Sequence, residues 1–365
     1  MSKQTLSELN LVNIAEAYEL IKMSLEAMMK SGAKKHMNIS LTGSPGIGKS
    51  SIVHQIAKEL GMKLVDLRLS AMEESAVQGI MDFSTPAWWP EDDATPMILF
   101  LDELWSASPM VQTAAYRLIL DRTIQNGKKL PDNCYIIAAG NLKSDKTGAK
   151  DPLPAAANRF GLHLVIDRER CLMPTLEYFN QNGFDIKLTS FLEFDKGSFY
   201  GNPGESIAFA SPRTWEDVNT HLNTYPEGVM LNAAIAGAVG SEAAHKFSGF
   251  RENFGRLPDY NKVMNGDKNY EYKVDRGDIG LCFAVTVTAA THMVDLFSDT
   301  KAKNDETVVN KGKNLMKLVG DLEGDMQTIF LRTMKRNIPA LLAAKSVIPQ
   351  LEEVFIAITD RNVKN

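Results

Sequence analysis

Cysteine is scarce: Cys134, Cys171 and Cys282 are the only three in 365 residues. An odd set of widely spaced thiols excludes a disulfide framework and predicts a reducing, cytoplasmic setting. No Cys/His spacing suits zinc, and the six histidines stand apart from one another. Basic excess is also missing, since 40 Lys and Arg against 45 Asp and Glu leave a net charge of −5. No overall nucleic-acid-binding charge is signalled, local patches aside. Long apolar runs are absent too. The run Ile279–Thr291 is short and carries Thr and Cys, so no membrane span is expected. Met1-Ser2-Lys3-Gln4-Thr5 lacks the apolar core of a secretory signal. There is no internal repeat and no low-complexity tract. What remains is a chain of ordinary composition, long enough for two domains or more.

Residues 43–50 read Gly43-Ser44-Pro45-Gly46-Ile47-Gly48-Lys49-Ser50 and fit G-x-x-x-x-G-K-[ST] without a mismatch. Met37–Thr42 reads as a strand entering this loop. Ser51–Leu60 reads as a helix leaving it, with apolar residues at 52, 53, 56, 57 and 60. Such a loop turns backbone N–H groups onto phosphate oxygens, and the helix N-terminus adds partial positive charge there. The expected cradle for ATP runs from Gly43 to Ser51, with Lys49 reaching the β- and γ-phosphates and Ser50 holding Mg²⁺.

Strand and helix patterns alternate around this motif. Leu11, Ile14, Ala15, Tyr18, Ile21, Leu25, Met28 and Met29 predict an amphipathic helix over 8–31. Strands are expected at Met37–Gly43, Lys63–Leu69, Met97–Leu101, Cys134–Gly140 and Leu162–Ile166. Several are continuous apolar runs, as in parallel strands buried on both faces. Helices fill the gaps at Lys49–Leu60 and Pro109–Asp121, with short pieces around Glu73–Gln78 and Pro154–Asn158. The series predicts a doubly wound α/β fold on a five-stranded parallel sheet. Past Asp167, helical periods dominate: Cys171–Asn180, Ile186–Phe194, Pro212–Leu222, Val229–Phe254, Asp278–Phe297, Gly312–Arg336 and Ile338–Ile358. Arg256–Tyr272 and Ser298–Lys311 read as connections.

Four further motifs carry chemistry. Met97–Glu103 is an apolar strand that delivers Asp102 and Glu103 at its carboxyl end, where parallel-sheet ligands bind. Asp102 suits the Mg²⁺ shell and Glu103 the general base that polarises a water. Tyr135–Asn141 is a second apolar strand, ending in an amide that can hold that water or touch the γ-phosphate. Ala157-Asn158-Arg159-Phe160 places Arg159 just before the fifth strand, where a neighbouring subunit's site could receive it. In Ser211-Pro212-Arg213, Ser211 caps a helix, Pro212 takes its first position and Arg213 follows in the first turn. A cation there opposes the helix dipole, which suits an anionic partner such as a γ-phosphate.

These motifs, in this order, resemble the AAA+ ATPases, and within them the MoxR group. The closest likeness lies between Pro86 and Asn141: Trp88-Trp89-Pro90, Asp102-Glu103, Gln112–Arg122, Leu130–Asn133 and Ala138–Asn141. The resemblance implies that Gly43–Ser50 is Walker A and Leu101–Glu103 closes Walker B. It further implies that Asn141 is sensor 1, Arg159 a trans-acting arginine finger and Arg213 sensor 2. It implies an α/β core over 1–167, a helical lid over 168–255 and a helical C-terminal extension over 256–365. Leu104-Trp105-Ser106 departs from the Asn- and Arg-rich pair usual after the family's Walker B glutamate. Asn126-Gly127 marks a hairpin turn, at the place of an insertion typical of the MoxR-containing branch. A second insertion falls between Ala71 and Pro96, where the adjacent Trp88 and Trp89 favour packing.

The function this implies is a Mg²⁺-dependent ATPase in a homo-oligomeric ring, a hexamer by family analogy, that remodels or matures a partner protein. A partner bearing a von Willebrand factor A domain follows from the resemblance alone. The main rival is a nucleic-acid motor or clamp-loader-like ATPase, which Lys128, Lys129, Lys143, Lys146 and Lys150 keep open. A monomeric P-loop kinase and a non-hydrolysing scaffold fit the motif set less well.

Overall fold

The computed structural model describes residues 11–31, 36–78, 85–89, 95–124, 127–145, 158–203, 207–298, 305–320, 322, 324–335, 340–341 and 344. The short helix expected at 154–158 and the helical trend over 338–358 lie largely outside the described residues, as do Pro90, Asn126, Lys146 and Lys150. The chain forms two compact units. One joins Met1–Asn182 to Lys196–Ala243, and the other joins Gly183–Asp195 to Ala244–Asn365.

The first unit is built on a six-stranded sheet of order β1-β6-β2-β5-β4-β3, parallel throughout. Its strands are β1 Leu11–Val12, β2 Ile39–Gly43, β3 Lys63–Arg68, β4 Met97–Asp102, β5 Cys134–Gly140 and β6 Leu162–Ile166. β4 and β5 are buried at every position, which explains their unbroken apolar sequences. The sixth strand corrects the expected count of five, and it comes out of the predicted helix over 8–31. Leu11 and Val12 pair with Val165 and Ile166, and helix α1 runs only over Ile14–Lys30. Asn13 sets that boundary. Its side chain accepts from the Glu16 N–H at 2.9 Å, and the Glu16 carboxylate accepts from the Asn13 N–H at 2.8 Å. This reciprocal cap starts the helix there and leaves the preceding pair extended.

Strand register decides where the chemistry emerges. Thr42 lies beside Gly140, Gly43 beside Ile166, and Arg68 beside Asp102. The phosphate-loop motif, the Asp102-Glu103 pair and Asn141 therefore leave the sheet along one carboxyl edge, with β2 in the interior of the strand order. Helices α2 (Lys49–Glu59), α3 (Glu74–Gln78) and α4 (Pro109–Asp121) belong to the same unit. Trp105, the departure from the family pattern, is 2% exposed. It sits so close to Gly140 that a Cβ on that glycine would fall 1.8 Å from the indole. Its ring meets Phe160 edge-on at 6.1 Å, so the position serves the core.

The described residues of both expected insertions pack. Trp89 is buried, and its ring lies 5.4 Å from that of Trp88, whose Nε1 donates to the Ala76 carbonyl at 2.9 Å. A hairpin closes through an antiparallel bridge between Thr123 and Lys129, with Gly127 at φ 80°. The Lys128 ammonium stands 5.4 Å from the Trp89 ring centre, which joins hairpin and insertion. The Arg122 guanidinium anchors the hairpin base by donating to the carbonyls of Pro131 at 2.7 Å and Cys134 at 2.8 Å.

The second unit is helical in its described residues. Its central helix runs over Ile279–Ser298 and is long and apolar enough to cross a membrane by length and composition, against the expectation of no such stretch. The apolar run extends past Thr291 because the helix continues to Ser298. It lies in this unit's own core, with Ala289, Ala290, Met293 and Phe297 fully buried. Two of the expected connections contain helices. Asp259 caps Tyr260–Asn265, and Asp305 accepts from the Thr307 N–H at 2.8 Å to open Glu306–Gly320. The expected helix Val229–Phe254 divides into Val229–Val239, in the first unit, then Ser241–Glu252 and a 3₁₀ turn over Asn253–Arg256.

Candidate nucleotide-hydrolysis site

The loop between β2 and α2 needs backbone conformations that side chains resist. Gly46 has φ 73°, and a Cβ there would lie 2.6 Å from the Ser211 hydroxyl. Lys49 follows at the first turn of α2 and is 8% exposed. Its ammonium donates to the carbonyls of Gly43 at 2.8 Å and Ser44 at 3.0 Å, and to Asn141 Oδ1 at 2.9 Å. Three donors thus meet three acceptors. Burial pushes the Lys49 pKa down to about 8, with Arg213 adding to the fall and Asp102, Asp145 and Glu103 opposing it. A phosphate competing for this ammonium would release Asn141 from it.

At the end of β4, Asp102 is 7% exposed and its Oδ2 accepts from the Ser50 hydroxyl at 2.8 Å. Its other oxygen accepts from the Glu103 N–H at 2.8 Å. Glu103 takes the left-handed conformation, φ 58° and ψ 30°, which is costly for a side chain of this kind and turns its carboxylate out of the strand direction. That carboxylate accepts from the Ser70 hydroxyl, and Arg68 Nε stands 3.7 Å from it. Both partners sit at or just past the end of β3, beside β4.

The third wall comes from the helix over Pro212–Thr224. Ser211 caps it, accepting from the Thr214 N–H at 3.3 Å, and Pro212 opens it. The Arg213 N–H donates to the Gly46 carbonyl at 3.2 Å, which docks the helix start on the phosphate loop. The Tyr200 hydroxyl donates to the Pro45 carbonyl at 2.5 Å, and Asp145 accepts from the Ser44 hydroxyl at 3.1 Å.

The structure therefore brings Gly43–Ser51, Asp102, Glu103, Asn141 and Arg213 to one place. Arg159 is held elsewhere. Its guanidinium donates to the Tyr116 carbonyl at 2.7 Å and lies over the Tyr116 ring at 5.7 Å, on α4. Sequence reasoning passed over Arg68, Ser70, Asp145 and Tyr200. Each acts through a partner distant in the chain, a relation that local spacing does not reveal.

Residues 39–168 match the family model described as ATPase family associated with various cellular activities (AAA). The likeness to the AAA ATPases covers these residues. The matched stretch opens at β2, closes just past β6, and so contains every site residue above except Tyr200, Ser211, Arg213 and Thr214. Over 84 residues the chain is 34% identical to the Holliday junction branch migration complex subunit RuvB of Anaeromyxobacter sp. (strain K), covering 23% of this chain and 22% of that protein. The same subunit of Anaeromyxobacter dehalogenans (strain 2CP-C) matches to the same extent. The match thus spans 22% of the length of these curated relatives. Among solved structures, the Thermotoga maritima RuvB Holliday junction branch migration motor aligns over 93% of this chain and 90% of that chain, at 16% identity and a TM-score of 0.40.

Proposed function

We propose that the chain is one subunit of an ATP-driven ring, a hexamer by analogy with its family, that works as a motor on nucleic acid. The observation that carries the ring is the split of the site residues. Lys49, Ser50, Asp102, Glu103, Asn141 and Arg213 converge, whereas the Arg159 guanidinium is tethered to Tyr116. A cation placed away from its own chain's phosphate loop is one that a neighbour can use on the transferred phosphoryl group.

Ser50 and Asp102 present hard oxygens 2.8 Å apart and fit a Mg²⁺ ion held by one carboxylate, one hydroxyl and substrate phosphate. Bound Mg²⁺ would neutralise charge on the β- and γ-phosphate oxygens. Lys49 would bind the same oxygens, Asn141 would hold the attacking water, and Glu103 would take its proton. Arg213 would report γ-phosphate to its helix. Arg159→Ala is expected to stop hydrolysis in a homogeneous ring, while mixed rings with wild-type subunits regain activity above simple dilution. Mixtures that track dilution alone would remove the shared site.

The nucleic-acid reading is supported by the RuvB relatives and by exposed Lys129 and Lys143 on the first unit. Its test is ATP turnover with and without duplex DNA. Stimulation is expected, and it should weaken steeply between roughly 50 and 200 mM salt as phosphate contacts are lost. A turnover rate indifferent to DNA at low salt counts against it. The second reading, a MoxR-type remodeller with a von Willebrand factor A partner, is supported by the motif likeness over residues 86–141. Recovery of such a partner from the native host, together with that indifference to DNA, would favour it.

A further inference from the structure

Asp145 belongs to none of the motifs that carry the hydrolysis chemistry, yet it is 6% exposed and sits against the phosphate loop. It ends the 3₁₀ turn Lys143–Asp145, whose last N–H donates to the Leu142 carbonyl at 3.1 Å, immediately after Asn141. One of its oxygens accepts from the Ser44 hydroxyl at 3.1 Å, and the other is buried with no hydrogen-bond partner among the described residues. Ser44 in turn gives its carbonyl to the Lys49 ammonium, and Asn141 gives that ammonium its Oδ1. The path is closed: Lys49 to Asn141, along four residues to Asp145, across to Ser44, and back to Lys49. A cavity of about 590 Å³, lined in part by Ser44, Leu142 and Asp145, lies against the same pair.

We propose that Asp145 is a positioning residue of the ATPase site, bracing Ser44 of the phosphate loop against the turn that carries Asn141 and so fixing Lys49 and Asn141 relative to each other. The inference rests on the hydrolysis reading of the same site. Its negative charge is costly beside a phosphate-binding loop, and the brace supplies the reason it is there. Nucleotide affinity depends mostly on Lys49 and the loop N–H groups, which the brace does not provide. The brace therefore acts on turnover through the placing of Asn141.

The test measures steady-state ATP hydrolysis and nucleotide binding for Asp145→Ala, Asp145→Asn, Ser44→Ala and the double alanine variant of the assembled full chain. Asp145→Ala is expected to lose at least ~10-fold in kcat, the scale of a misplaced reacting group, with KM changed by less than about 3-fold. Asp145→Asn keeps an acceptor for Ser44 and is expected to restore most of that kcat. Ser44→Ala should match Asp145→Ala, and the double variant should lose no more than either single one, because one shared bond is removed. Should Asp145→Ala fail to fold, Ser44→Ala, which deletes only a hydroxyl, carries the same comparison. Normal kcat in Asp145→Ala, an equal loss in Asp145→Asn, or additive losses would each overturn the brace. A wild-type assembly that hydrolyses no ATP would instead overturn the reading of the site itself.

Discussion

Lys49→Ala is expected to abolish measurable nucleotide binding. The ammonium is the one cation inside the loop, it is 8% exposed, and all its donors already point at acceptors around the phosphate path. A charge-assisted hydrogen bond contributes about 1.5–3 kcal/mol. Two of them to phosphate oxygens make a loss of roughly 3–6 kcal/mol, or about 10²–10⁴-fold in affinity. Titration with a fluorescent ATP analogue gives the number directly. The fold should tolerate the change, because removing a buried charge also removes its desolvation cost, which is what holds the Lys49 pKa near 8. Unaltered affinity in a folded Lys49→Ala chain would mean that phosphate binds somewhere other than this loop.

Glu103→Gln separates binding from chemistry. It is expected to bind ATP normally and to lose about 10²–10⁴-fold in turnover, the usual contribution of a positioned general base. The geometry explains why the residue is singled out. The backbone at Glu103 pays for a left-handed conformation, φ 58°, and Asp102 secures it by accepting the Glu103 N–H. The side chain meanwhile engages Ser70 and faces Arg68. Ser70 takes one of the carboxylate's lone pairs, and the remaining ones are open to a proton. Glutamine can keep an acceptor for Ser70 but cannot take a proton. Phosphate release measured beside ATP binding in the same preparation checks both halves, and wild-type turnover in Glu103→Gln would deny this carboxylate its role.

Much of this was legible because burial and sequence speak the same language in a parallel sheet. Strands that touch core on both faces must be apolar throughout, and β4 and β5 were therefore visible from Met97 and Cys134 onward. The loop was visible because a phosphate cradle needs its glycines and lysine at fixed spacing. β1 was not, since two residues carry no period and Leu11 also fits the helix face. The helices capped by Asp259 and Asp305 were hidden inside polar stretches whose capping carboxylates resemble loop residues. The supports of the site were hidden for a different reason. Ser44 and Asp145 are 101 residues apart, Ser70 and Glu103 are 33 apart, and Pro45 and Tyr200 are 155 apart. The fold makes these pairs, and no spacing rule announces them.

The route of the backbone between the two units has a practical meaning. It crosses from one to the other at residues 182–183, returns at 195–196, and crosses again at 243–244. Helix Ile186–Phe194 thus reaches the second unit ahead of the rest of it, and its Phe191 stacks with Phe247 at 5.1 Å while Phe194 meets Phe283 at 5.4 Å. No single proteolytic cut can release either unit intact. Ending the polypeptide at 243 would orphan that helix with its aromatic rings bare, so the catalytic half is sewn to the helical half by two stitches as well as by the final join.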